Sequence, residues 1–361
     1  MKAAICYEFN QPLVIEDGVE VDDPGRGEVK IKLAATAVCH SDLHFFKGEI
    51  PFKLPGIGGH ESAGYIEEIG EGVTGLNKGD AVIIGTVTSG CGHCYYCTIG
   101  LRHLCVSRRQ PMEGRHRNKA GQRLAPMAGP VAGFAEYTTV SETLVTRIPS
   151  DIPMDRACLL ACGVTSGFGA VVNRAQVGPF SSVVVMGCGG VGLNAIQGAL
   201  FCGADPIIAV DILDSKLETA RKFGATHVIN SKKEKDAVKL VWDLTSGRGA
   251  DYVFVTVGNL EALRLGFSMG GPRSMTVVIG LMMGNLASLM PMEFIMTEKV
   301  LTGCGGGSLR TSIDIPGLVS LYKTGRLKLD ELITGRYPLE RINEAMASLE
   351  RGEALRNVIL F

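Results

Sequence analysis

From Ser182 onward, short apolar strands and helices take turns, and this alternation limits the fold more than any other feature. SVVVM, PIIAV, HVIN, DYVFVTV and TVVIGL are rich in Val and Ile and too uniformly apolar to face water on one side. VGLNAIQGALFCGA and the charged SKLETARKFGA read as helices among them. Strands of this kind, separated by helices, pack as a doubly wound parallel sheet covered on both faces. Upstream of residue 150 the texture differs. VKIKLAATAV, SAGYIEEIG, DAVIIGTV and AEYTTV are separated by Gly, Pro and Asp turns, the pattern of an irregular, mostly β domain. After Gly305, Gly306 and Gly307 the chain returns to helix and turn, then ends in the apolar strand RNVILF. The expected class is α/β, with residues 164–305 inserted into a mostly β domain made of 1–163 and 306–361.

Gly187-Cys188-Gly189-Gly190-Val191-Gly192 follows the first strand of the alternating region and opens its first helix. That is the context in which a G-x-G-x-x-G run binds a dinucleotide, and it makes the inserted domain a Rossmann-type sheet. Gly187 permits a tight turn, Gly189 lets the backbone approach a pyrophosphate, and Gly192 lets helix and strand pack closely. Amide groups at the helix start, among them those of Gly190 and Val191, then face the phosphates. Asp211 ends PIIAV, nineteen residues beyond Gly192. An acid there accepts hydrogen bonds from the adenosine ribose and repels a 2′-phosphate, which favours NAD over NADP. The competing reading of Asp211 is a turn or helix-cap aspartate.

Cys91, Cys94, Cys97 and Cys105 fall within fifteen residues. Four thiolates suit one closed, structural zinc ion. Two disulfides are the competing reading, but eleven cysteines in 361 residues are sparse and odd in number. MKAAICYEF lacks the apolar core and cleavage site of a secretory leader, so a reducing, cytoplasmic setting is expected. A net charge of −1 argues against nucleic-acid or membrane-surface partners. Residues 175–204 carry no charge and are long enough to span a bilayer. Pro179 and four glycines interrupt them, so a strand, a turn and a buried helix are expected instead.

Cys39-His40-Ser41-Asp42-Leu43-His44 and Gly59-His60-Glu61 precede the cysteine cluster, and Cys162 follows it, ahead of Gly163-Val164-Thr165-Ser166-Gly167. With the cluster and the glycine loop in this order, the chain resembles the zinc-dependent medium-chain alcohol dehydrogenases over essentially its whole length. The resemblance implies a GroES-like catalytic domain carrying a structural zinc lobe, and two zinc ions per chain. It makes Cys39, His60 and Cys162 the catalytic zinc ligands, with Glu61 and Asp42 behind them. Two thiolates and an imidazole leave a fourth position for water or an alcohol. Free cysteines are otherwise small buried hydrophobes, which is how Cys6, Cys158, Cys202 and Cys304 are read. Cys188 receives no metal role. The implied reaction is hydride transfer between a zinc-bound alcohol and NAD. Ser41 matches the hydroxyl that takes the alcohol's proton, and His44 the histidine that passes it to solvent through the cofactor ribose.

Further cofactor contacts follow from the same resemblance. His40 stands where relatives often place an arginine on the pyrophosphate, Lys216 matches a lysine on the adenosine ribose, and Arg356 matches a phosphate-binding arginine. Four thiolates leave no ligand role for His93 or His103, and His116 and His227 read as surface or loop residues. Ser41, Ile50, Val87 and Leu281 match the lining of the substrate channel. Small side chains at Ser41 and Val87 widen it, which implies bulky or aromatic primary or secondary alcohols. Between Val106 and Pro126, Arg108, Arg109, Arg115, Arg117, Lys119 and Arg123 face the single acid Glu113. This is either a solvated loop or an anion-binding rim. The length of the loop is that of the dimeric branch, so a homodimer is expected. The alternative activity is glutathione-dependent formaldehyde dehydrogenase, against which Ile50 stands where that enzyme carries an acid.

Overall fold

The structure, a computed structural model, describes residues 1–85, 87, 90–106, 114–284 and 289–361. They form two compact units, Met1–Cys162 with Arg310–Phe361, and Gly163–Leu309.

In the second unit the described residues form one six-stranded sheet in which every pairing is parallel. Its order is His227–Asn230, Ile207–Asp211, Val183–Met186, Ala250–Val255, Gly270–Val278 and Val300–Gly303. Numbered along the chain this is 3-2-1-4-5-6, the order of dinucleotide-binding sheets. Val183, Val184 and Val185 are wholly buried, which is why the strand shows no polar alternation. The helix Gly190–Phe201 is buried nearly all round, with every residue from Gly192 to Ala199 enclosed. Asp214–Lys222 buries only Leu217 and Ala220 and turns its charges to water.

In the first unit the long strand Glu28–Val38 is central. It pairs antiparallel with Glu61–Ile69 on one side and with Arg356–Leu360 on the other. The C-terminal tail thus completes a sheet begun by the N-terminal third, with Asn357 opposite Val38 and Ile359 opposite Thr36. Val29, Ile31 and Leu33 alternate inward with Lys30 and Lys32 outward, and they meet Ile66, Val82, Ile84 and Val140. A second core gathers Ile5, Phe46, Ile57, Met127, Phe134 and Ile359. Phe134 is fully buried there, and its truncation to alanine would cost about 3–5 kcal/mol.

One expectation is corrected. His116 is not a surface residue: it lies buried in the short strand His116–Arg117, opposite Val21 and Leu124, and its Nε2–H donates to the Tyr137 carbonyl at 2.9 Å. Burial lowers its pKa. The described arginines of the basic segment are ion-paired. Arg123 pairs with Asp22 at 2.7 Å, Arg117 with Asp22 at 3.6 Å, and Arg115 with Glu28. Arg108, Arg109 and Glu113 lie outside the described residues. Among the described residues no single helix is long and apolar enough to cross a membrane.

Candidate active site and metal centres

The four-cysteine lobe is built by its own turns. Cys94 caps the short helix Tyr95–Thr98, which carries Cys97, and the single turn Arg102–Leu104 delivers Cys105. The Sγ atoms of Cys91 and Cys97 are 4.0 Å apart, and those of Cys94 and Cys105 are 3.8 Å apart. A tetrahedral zinc with bonds of about 2.3 Å sets its sulfurs roughly 3.8 Å apart, so the donor set fits the ion. Gly90 has φ +86°, and a Cβ there would lie 2.6 Å from the Cys97 sulfur. Backbone amides approach the sulfurs: Cys91 donates to Cys105 at 3.3 Å, and those of Val106 and Cys97 lower the Cys94 thiol. His93 instead bonds the Cys91 carbonyl at 2.9 Å.

A second centre draws on distant parts of the first unit. Cys39 follows the central strand and caps the helix His40–Phe46. Asp42, fully buried, ties three segments together. Its Oδ2 accepts the Cys39 amide at 3.0 Å, and its Oδ1 accepts the Gly59 amide and the His60 Nδ1–H, both at 3.2 Å. A carboxylate on Nδ1 fixes the proton there and leaves Nε2 as the ligand atom. Gly59 has φ +84°, and any Cβ would press 2.8 Å from the Phe134 backbone nitrogen. Cys162 follows the turn Cys158–Ala161. The ligand atoms of Cys39, His60, Glu61 and Cys162 all lie within 4.8 Å of one another.

Electrostatics mark the same spot. The hydrogen bond from Cys162 and the nearby His60 hold the Cys39 thiol well below its ordinary range, although burial opposes them. That bond and burial push Cys162 up. Burial acts to lower the His60 imidazole, but Asp42 and Cys39 outweigh it and raise it. Burial pushes the Glu61 carboxyl up to about 8 against the pull of Arg356. Both Glu61 oxygens are buried without a hydrogen-bond partner, and the Arg356 Nε is 3.8 Å away. Acceptors so placed beside two thiols fit a cation at this point.

Arg356, expected on a phosphate, is thus buried beside Glu61, and its Nη2 remains a donor without a hydrogen-bond partner. The Ser41 hydroxyl is 3.6 Å from the Cys39 sulfur. His44 lies one turn along the same helix, with Nδ1 bonded to Glu49 at 2.5 Å. His40 is exposed, while Ile50 and Val87 are half-buried.

In the second unit Gly187 has φ +92°, and a Cβ on it would strike Val257. A Cβ on Gly192 would run into the Gly187 carbonyl. Gly189 meets nothing within 4 Å, so its side of the loop is open. Gly190 and Val191 begin the helix, whose first amides have no side-chain cap. Asp211 accepts the amides of Cys188 and Ile212 at 2.7 Å and of Leu213 at 3.0 Å. It therefore organises the turn, as the competing reading has it, and keeps about one of its four acceptor positions for a ligand. Lys216 is half-buried on the next helix, and Leu281 is exposed.

Two residues were not foreseen. Thr256 reaches the carbonyls of Met186 and Gly187 at 3.0 and 2.9 Å and locks the glycine turn. Its signal was a threonine directly after a buried strand. Glu49 was signalled only by its place beyond Gly48, where the chain turns back on His44.

Comparison with known proteins gives a consistent picture. Residues 25–150 match an alcohol dehydrogenase GroES-like domain, and residues 190–324 match a zinc-binding dehydrogenase domain. Alcohol dehydrogenase B of Mycobacterium tuberculosis is 36% identical over 375 residues, covering 100% of this chain and 98% of that protein. S-(hydroxymethyl)glutathione dehydrogenase of Saccharomyces cerevisiae is 37% identical over 378 residues, covering 99% and 95%. The crystal structure of benzyl alcohol dehydrogenase from Acinetobacter calcoaceticus superposes with a TM-score of 0.92 at 32% identity, covering 100% of this chain and 99% of that one.

Proposed function

The chain belongs to the zinc-dependent medium-chain alcohol dehydrogenases, and from that premise we propose that it interconverts alcohols with aldehydes or ketones using NAD. The observation that carries this reading is the convergence of Cys39, His60 and Cys162, with Asp42 holding the imidazole. Those three residues would hold the catalytic zinc, and Cys91, Cys94, Cys97 and Cys105 the structural one. Zinc, when bound, makes an alcohol oxygen release its proton more readily, and NAD, when bound, accepts the hydride. The Ser41 hydroxyl takes the proton, and His44 carries it toward water. Amides of the Gly187–Gly192 loop would hold the pyrophosphate, with Asp211 and Lys216 on the ribose.

The favoured substrates are bulky or aromatic primary or secondary alcohols. The small side chains of Ser41 and Val87 support this, as does the likeness to a benzyl alcohol dehydrogenase. A panel of alcohols with NAD and NADP, followed at the nicotinamide absorbance, tests it. Benzyl alcohol should exceed ethanol in kcat/KM by about tenfold or more, with NAD preferred; efficiency falling with alcohol size would contradict the reading. The yeast relative favours a second reading, glutathione-dependent formaldehyde oxidation. Formaldehyde turnover that requires glutathione and exceeds turnover of every alcohol would replace the first reading.

We further propose a cytoplasmic homodimer. None of the eleven cysteines is in a disulfide, which suits a reducing compartment. Pro291–Thr297 buries none of its residues and exposes Met292, Ile295 and Met296, and the nearby edge strand exposes Val300. An apolar face of this kind suits a second copy, which sedimentation would detect.

A further inference from the structure

Glu49 has no part in the reading above, yet the fold places it with care. The helix His40–Phe46 stops at Lys47, whose amide bonds the Leu43 carbonyl at 2.9 Å. Gly48, at φ +71°, turns the chain back, and a Cβ there would press 3.1 Å from the Phe9 ring. The Glu49 amide then donates to the His44 carbonyl at 3.0 Å, while its Oε2 meets His44 Nδ1 at 2.5 Å. Backbone and side chain of Glu49 both grip the same residue. Nearby Lys47 is engaged elsewhere, by Glu350 at 2.7 Å.

An ionised carboxylate can only accept a hydrogen bond, so this contact requires the proton on Nδ1. In the neutral ring the other nitrogen, Nε2, is then an acceptor. The imidazole is 26% exposed and the carboxylate 42%, so both members of the pair reach water. We propose that Glu49 is a positioning residue that holds His44 as its Nδ1–H tautomer and so makes Nε2 the proton acceptor of the relay. The inference rests on the alcohol dehydrogenase reading and adds a component to it. In alcohol oxidation a proton arrives at Nε2 while Nδ1–H stays on Glu49. The Nε2 proton then leaves to water, and the ring returns to its starting tautomer with no change of electrons. Without Glu49 the ring can carry its proton on Nε2, where it is a donor and must rearrange before each turnover.

The test is ¹⁵N NMR of the His44 ring in zinc-loaded, NAD-free protein, with the signal assigned by His44→Gln. Wild type should show Nδ1 protonated and Nε2 bare; Glu49→Ala should lose that preference. In alcohol oxidation with NAD, Glu49→Ala should lower kcat about tenfold, less than the roughly 10²–10⁴-fold of a lost general base, and leave the alcohol KM within about twofold. Should Glu49→Ala fold poorly, Glu49→Gln keeps the side-chain shape and should show the same changes in smaller degree. An active wild type whose Glu49 variants keep the same ring tautomer and kcat overturns this inference alone. A failure of the family reading would appear instead as a wild type that turns over no alcohol.

Discussion

Cys91, Cys94, Cys97 and Cys105 come from one short stretch and are held by its own turns and amides. Cys39, His60 and Cys162 come from a strand end, a strand start and a helical turn that only the folded first unit brings together. Among the described residues the local cluster is four cysteines without a carboxylate, and two of the four are only half-buried. The remote centre is enclosed, and it needs Asp42 on the imidazole and the Glu61–Arg356 pair beside the thiols. The contrast separates two uses of one metal chemistry. Four thiolates close a site and stabilise a lobe, whereas two thiolates and an imidazole keep a position open for substrate.

Changes in the two centres should therefore fail in different ways. The largest effect is expected from Cys39→Ser, which should lower kcat/KM by about 10³-fold or more, because a Lewis acid contributes several kcal/mol. Its Tm should stay close to wild type. If activity survives, the remote centre is not the reacting one. Cys105→Ser should do the reverse, lowering Tm by roughly 5–10 °C while the folded fraction keeps most of its kcat, as calorimetry and active-site titration would show. Equal loss of kcat and Tm in both variants would erase the contrast.

Asp42→Asn sharpens it further. The amide can still accept from the backbone but holds the His60 ring less firmly, and zinc affinity or activity should fall about 10–100-fold. Dialysis against a chelator, with zinc counted over time, would reveal it. The smallest effect concerns His116, which belongs to neither centre. Its buried imidazole titrates below the unfolded value of about 6.5, so the folded state binds fewer protons. Stability that is present above that pH is lost as the pH falls through the folded value. His116→Gln should flatten the decline in unfolding free energy between pH 7.5 and 5, measured by urea titration; an unchanged slope would contradict the assignment.

Much of this was legible in the sequence because it is local. The cysteine spacing, the glycine loop after SVVVM and the alternating apolar runs each report on residues a few positions apart. The pairing of RNVILF with the first unit could be read from the way the chain changes texture twice. What stayed hidden depends on partners far away in sequence. His116 sits among arginines and looks exposed, but strand pairing with Val21 and Leu124 buries it. Arg115, Arg117 and Arg123 look like a free basic run until Asp22 and Glu28 are placed beside them. Asp211 looked like a ribose ligand, and its backbone partners show that it first has to hold the loop that would bind the ribose. Spacing reports a motif, but not which other groups a side chain already satisfies.

Zinc counted per chain in wild-type and Cys162→Ser protein, alongside NADH formation from benzyl alcohol, tests the central claim most directly. The account predicts two ions and turnover for wild type, and one ion without turnover for the variant. A variant that keeps both ions and still forms NADH would contradict it.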